Sequence, residues 1–150
     1  MSTSKKNQLK KLIEQDQTFI IDTSAIIAYL HGEEGGELLA IAIGKSSVPF
    51  IALTELYYII WKRLSKSSAD YFYGIVKSWG LPLLIPDEAT ILTSARFKVS
   101  YALGIADSYI AAFAFTQKAI LITKDFDFER IREEIGVFQI ADSHQGVQIA

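Results

Sequence analysis

At 150 residues and 16.7 kDa, with 50% hydrophobic and 21% charged residues, the chain has the composition of one globular domain with a sizeable core, which excludes a second domain or a long disordered arm. No cysteine and only two histidines exclude disulfides, a thiolate zinc site, a cysteine nucleophile and an imidazole-rich metal site, so any metal would be a hard cation on oxygen ligands. Fifteen Lys and Arg against 17 Asp and Glu give a net charge of -2 and a pI near 5.7, a balance that on its own speaks against a nucleic-acid ligand.

Residues 1–17 read as a basic extension in which Leu9, Leu12 and Ile13 form an apolar stripe beside Lys5, Lys6, Lys10 and Lys11, predicting a short docked helix ahead of a domain over residues 18–150. The opening residues are basic, but no apolar signal run follows and no stretch is long enough to span a membrane. The chain therefore reads as soluble and cytoplasmic.

Thr18 to Asp22 is a short β-branched and aromatic run ending in a carboxylate, and Thr23 to Leu30 reads as a helix. After Gly32, Gly35 and Gly36 a helix is expected over Glu37 to Ile43, stopped by Gly44. Val48 to Ala52 is a second apolar run, and Thr54 is the expected N-cap of a helix reaching about Leu64. Ala69 to Trp79 is a further helix, and Leu83 to Ile85 a very short strand. Asp87 caps a long helix that runs toward Tyr101 and ends near Gly104. Ile105 to Thr116 is a helix of small and apolar residues, and Ala119 to Thr123 and Val137 to Ile140 are the fourth and fifth strands. Strands that are apolar throughout and separated by helices predict a parallel sheet covered on both faces, a three-layer α/β/α fold.

Open parallel sheets bind ligands beyond the carboxyl ends of their strands. Asp22 ends the first strand, Glu55 lies in the expected first turn after the second, and Asp125 follows the fourth by two residues. Asp107 opens the helix that feeds the fourth strand, so it too stands at that rim. An acid at a helix start is ordinary, and Asp87 and Glu88 are assigned no chemistry. Four acids converging on one rim are different. Two unit charges about 6 Å apart repel by roughly 3 kcal/mol at an effective dielectric of about 20, so the group calls for a cation, Mg²⁺ or Mn²⁺. Such an ion suits phosphodiester hydrolysis, because it activates water without a histidine base.

The strand into Asp22-Thr23-Ser24, the Leu53-Thr54-Glu55-Leu56 segment, the stretch from Gly104 through Asp107 to Ala112, and Leu121 to Phe128 resemble, in this order, the motifs of PIN-domain ribonucleases, and are most similar to small single-domain toxins of VapC type. The resemblance implies a five-stranded parallel sheet and a divalent-metal endoribonuclease with Asp22, Glu55, Asp107 and Asp125 as its acidic site. It also implies Asp127 at the edge of the site, Ser24 and Thr123 hydroxyls holding a carboxylate or a coordinated water, a homodimer, and a cognate antitoxin. In family members of this size the first strand begins near the N-terminus, whereas here 17 residues precede Thr18.

Lys62, Arg63 and Lys124 are candidate contacts to the RNA backbone, although the first two also complement a helix C-terminus. Tyr57, Tyr58, Tyr71 and Tyr73 fit base stacking, a dimer seam or core packing. His31 and His144 have no ligand-spaced partner and are read as ordinary loop residues. Two other functions compete: a non-catalytic PIN-like RNA- or protein-binding module, and an aspartate-phosphorylating phosphatase or receiver. The last would place its paired acids after the first strand, where Asp22 stands alone. If Asp22, Glu55, Asp107, Asp125 and Asp127 face a metal, the rest of the chain carries +3 in place of -2, and the acidic pI no longer argues against RNA.

Overall fold

The structure, a computed structural model, describes residues 2–142; His144 lies outside the described residues. Its centre is built from the apolar runs. β1 (Phe19–Ile21), β2 (Ser46–Pro49), β3 (Leu83–Leu84), β4 (Ile120–Thr123) and β5 (Val137–Gln139) form one five-stranded sheet in the order β3-β2-β1-β4-β5, with every pair parallel. Phe19, Ile20, Ile21, Leu121 and Ile122 are all buried, as a strand covered on both faces requires. The covering helices are α1 (Ser2–Glu14), α2 (Thr23–Leu30), α3 (Leu38–Ala42), α4 (Phe50–Arg63), α5 (Lys66–Ser78), α6 (Glu88–Tyr101) and α7 (Ile105–Gln117). The three-layer α/β/α arrangement follows. Among the described residues no single helix is long and apolar enough to cross a membrane.

From β1 the chain crosses to β2 on one side, and later returns to place β4 on the other. The crevice beyond the carboxyl ends of β1 and β4 is thus a topological switch point, where open α/β sheets take their ligands. The register continues past β1: the Asp22 N–H donates to Ile122 O at 3.0 Å, so Asp22 leaves the sheet at a fixed height beside Thr123.

Three sequence boundaries need correction. The apolar run Val48 to Ala52 is not one strand, because β2 ends at Pro49 and α4 begins at Phe50. Proline has no N–H for the ladder, and its fixed φ suits the residue just before a helix. Thr54 is therefore not the N-cap. Its exposed hydroxyl faces Phe50 O at 3.5 Å within the helix, and Glu55 lies in the second turn. Nor does α6 reach Gly104: it ends at Tyr101 on a left-handed Ala102, and Gly104 is the N-cap residue of α7. Likewise α5 starts at Lys66 rather than Ala69, because Ser65 Oγ accepts from the Ser68 N–H at 3.0 Å and caps it earlier.

Helix α1 packs on α3 and buries Leu9 completely. Its Lys5 ammonium donates to Gln139 O (2.6 Å) and Ala141 O (2.7 Å), while Arg132 donates to Val137 O at 3.0 Å. These are alternate carbonyls of β5 and its continuation, on the side away from β4, so side-chain cations cover the outer edge of the sheet. Leu9→Ala is expected to lower stability by about 2–4 kcal/mol in urea unfolding, since it empties a fully buried leucine site.

Candidate active site

Asp22, Glu55, Asp107 and Asp125 come from four separate segments and line one cavity of about 260 Å³ at the switch point. Asp22 is buried and rigidly held. Its Oδ1 accepts from the Thr23 N–H at 2.8 Å, as the N-cap of α2, and its Oδ2 accepts from Ser24 Oγ and Thr123 Oγ1, both at 2.7 Å. The two hydroxyls stand 3.2 Å apart. Ser24 Oγ also accepts from the Lys124 N–H (2.9 Å) and Thr123 Oγ1 from the Asp125 N–H (2.9 Å), which locks the start of α2 to the end of β4.

Glu55 projects from α4, where Thr23 Oγ1 donates to its Oε1 at 2.8 Å. Asp107 is the third residue of α7, which runs back against β4 and so presents its N-terminus at the carboxyl end of the sheet. Asp125 caps the 3₁₀ turn Phe126–Ile131, accepting from the Asp127 N–H at 2.8 Å. Asp107, Asp125 and Asp127 each offer a carboxylate oxygen within 4.8 Å of the other two, so Asp127 belongs to the tightest acidic group among the described residues. The Arg130 guanidinium lies 3.6 Å from Asp127 on the exposed side.

The electrostatics separate these acids from ordinary caps. Asp87 is an exposed cap whose carboxyl is held below the usual range by hydrogen bonds from the Thr90 N–H and hydroxyl. Asp22 caps a helix too, yet burial pushes it up to about 6, against its hydroxyl partners and with the charges of Asp125 and Glu55 adding to the rise. Asp107 is pushed up to about 7, first by burial and then by Asp22, Asp125, Glu55 and Asp127. Asp125 is raised by burial as well. Among the described residues, no Lys or Arg pairs with Asp22, Glu55 or Asp107. An all-oxygen donor set with an uncompensated buried carboxylate fits a hard divalent cation.

A family model described as PIN domain matches residues 19–134. The chain belongs to the PIN domain family. No curated protein matches it. Solved structures share the PIN fold. DNA-bound VapBC from Salmonella typhimurium has a chain 22% identical with a TM-score of 0.69, covering 83% of this chain and 99% of that one. VapBC-1 from nontypeable Haemophilus influenzae gives 18% and 0.67, over 83% and 99%. VapBC-5 from Mycobacterium tuberculosis gives 22% and 0.61, over 81% and 95%.

Within this PIN domain the other candidates divide. Ser24, Arg63 and Lys124 line the acidic cavity, whereas Lys62 is exposed and does not. The Lys124 ammonium is engaged by Glu33 at 3.0 Å. His31 lies outside the cavity, its ring 5.3 Å from that of Phe72. Tyr57 packs edge-on against Trp61 and Tyr73 and donates to Asp70 at 2.5 Å, while Tyr58 and Tyr71 are exposed.

Two site residues escaped the sequence reading. Glu33 reaches the rim because its loop is drawn tight. A Cβ on Gly36 would collide with the backbone of Ala28, and Gly35, at φ +81°, presses on Ile140 O. The cluster of glycines was the only signal. Thr23, buried between Asp22 and Glu55, is the other. Thr23→Val is expected to keep the fold and to weaken divalent-ion binding, read by isothermal titration, by about 10–100-fold, because Glu55 loses the hydroxyl that orients it.

Proposed function

We propose that this PIN domain is a divalent-metal-dependent endoribonuclease that hydrolyses RNA phosphodiester bonds in the cytoplasm as a VapC-type toxin. The observation that carries the reading is the meeting of Asp22, Glu55, Asp107 and Asp125 in one cavity, where among the described residues no Lys or Arg pairs with Asp22, Glu55 or Asp107. These four, which share the cavity, would hold Mg²⁺ or Mn²⁺ together with Asp127, whose carboxylate lies within 4.8 Å of those of Asp107 and Asp125. When bound, the ion supplies Lewis acidity, making water nucleophilic near neutral pH and offsetting charge on the phosphate and leaving oxygens.

The chain's own contribution is orientation and proton control. Three hydrogen bonds fix the Asp22 carboxylate, and Thr23 fixes Glu55, so neither has to reorganise when substrate arrives. Asp107, at about 7 in the metal-free chain, must give up its proton to take a cation, so ion affinity rises with pH through that value. Burial of Ile27 and partial burial of Ile59 in the cavity wall limit bulk water around the acids.

The likeness to VapBC structures supports a cognate antitoxin as partner, and the resemblance to small PIN-domain toxins is the ground on which a homodimer is proposed. The test is cleavage of synthetic single-stranded RNA by pure protein. Internal cuts are expected with Mg²⁺ or Mn²⁺, none with EDTA, and almost none with Asp22→Asn. Cleavage that survives Asp22→Asn, or no cleavage with either ion, rejects the reading.

A further inference from the structure

The acidic cavity has a second, oppositely charged end. Glu55, Ile59 and Arg63 stand four residues apart on α4 and all three line it, so one helix face carries a carboxylate, an apolar side chain and a guanidinium in a row. Eight residues of helix place Arg63 about 12 Å along the axis from Glu55. Ile27 of α2 adds to the apolar wall.

The two cations of the cavity are not equivalent. Lys124 is neutralised by Glu33 at 3.0 Å. Arg63 is exposed and has no ion-pair or hydrogen-bond partner among the described residues. A role at the negative end of the α4 dipole does not by itself explain its position, because Lys62 occupies the same last turn without lining the cavity. A ligand that fills this cavity must therefore carry an anionic group well removed from the one at the acids, with a less polar portion between them. A nucleic-acid strand has that pattern: phosphates separated by sugar and base. A free phosphate or a mononucleotide does not.

We propose that the Arg63 guanidinium holds a neighbouring phosphate of the same RNA strand whose scissile phosphate lies at the acidic cluster, with the intervening nucleoside against Ile27 and Ile59. The proposal rests on the nuclease reading of the site and adds a requirement: the substrate must extend past the scissile bond on one side. Arginine suits the role because its planar fork meets phosphate oxygens in a bidentate manner, so Arg63→Lys would restore only part of the contact.

The test is binding, read by fluorescence anisotropy, of a short labelled single-stranded RNA to the Asp107→Asn chain in Mg²⁺, with internal phosphates replaced one at a time by neutral methylphosphonate. Arg63→Ala is expected to weaken binding about tenfold and to reduce the slope of log K against log salt by about 0.7, the value for one single-strand phosphate, while Arg63→Lys recovers part of the loss. One methylphosphonate position is expected to cost about tenfold in the chain that keeps Arg63 and less than about twofold in the Arg63→Ala chain, as coupled partners do in a double-mutant cycle. Binding unchanged by Arg63→Ala overturns the proposal, as do methylphosphonate losses that are the same in both chains. Competition by a polyglutamate peptide as strong as that by RNA also overturns it, by assigning Arg63 to an acidic protein. If the parent chain cleaves RNA while binding ignores Arg63, this inference fails and the nuclease reading stands. Arg63-dependent binding without metal-dependent cleavage by the parent chain rejects the nuclease reading, and with it a scissile phosphate at the acids, leaving Arg63 as a phosphate contact alone.

Discussion

Asp107→Asn is expected to lower metal-dependent RNA cleavage about a thousandfold, some 4 kcal/mol of transition-state stabilisation, while making the metal-free chain more stable. The two effects share one cause. Asp107 sits among Asp22, Asp125, Glu55 and Asp127 and is partly withdrawn from water, so its charge is unfavourable in the fold and its carboxyl rises to about 7. An amide of the same shape removes the repulsion but cannot serve as an anionic ligand. Part of the gain is screened by solvent, because Asp107 is not fully buried, and an increase of about 2 kcal/mol remains, or about 4–8 °C in Tm for a domain of this size. Cleavage and melting measured on the same preparation decide it. A variant that cuts within tenfold of the parent would remove Asp107 from the site, and one that melts below the parent in EDTA would refute the electrostatic account.

The second large effect is on pH dependence. Asp22 and Asp107 have folded pKa values near 6 and 7 against an ordinary value of 3.8, and Asp125 is displaced in the same direction. An acid whose pKa is raised by folding binds its proton more tightly in the native state. Between about pH 4 and 7 the folded chain therefore holds more protons than the unfolded one, and stability falls as pH rises, with a limiting slope of about 1.4 kcal/mol per pH unit for each group. In EDTA, Tm is expected to be highest near pH 4 and to drop by about 10 °C by pH 8. Below the optimum the sign reverses. Asp16, Asp70, Asp87 and Glu134 are held low by their partners, and the stability they contribute is lost as pH falls through their folded values. Saturating Mn²⁺ or Mg²⁺ should flatten the decline above pH 6, since an ion at about 100 times its Kd adds about 2.7 kcal/mol to the folded state. A Tm in EDTA that is flat or rises from pH 5 to 8 would contradict this.

Much of the arrangement was legible because its signals are local. β1 is apolar at every position and β4 at every position but Thr123, and Asp22 and Asp125 follow them by chain order alone. The position of Asp107 is legible because a helix leading into a parallel strand must present its start at the strand's far end. What failed was also local in origin. A continuous apolar run does not distinguish a buried strand from the first turn of a buried helix, so Val48 to Ala52 reads as one strand although Pro49 divides it. The resulting shift moved Glu55 from the second turn to the first. Thr23, Glu33 and the nearness of Asp127 to Asp107 depend on which segments meet in space. No spacing in the chain encodes that Thr23 faces Glu55, 32 residues away.

The clasp between Lys5 and the carbonyls of Gln139 and Ala141 spans 134 and 136 residues. Within the described residues α1 precedes every strand, yet the carbonyls that its Lys5 grips lie at and just past the end of β5. Without β5 in place Lys5 has neither carbonyl to grip, although Leu9 already has its seat on α3. The clasp therefore forms only once β5 has docked, and it ties the first described helix to the last described strand. A change at Lys5 would be felt first along the outer edge of β5, at the same carboxyl rim of the sheet that carries the acids.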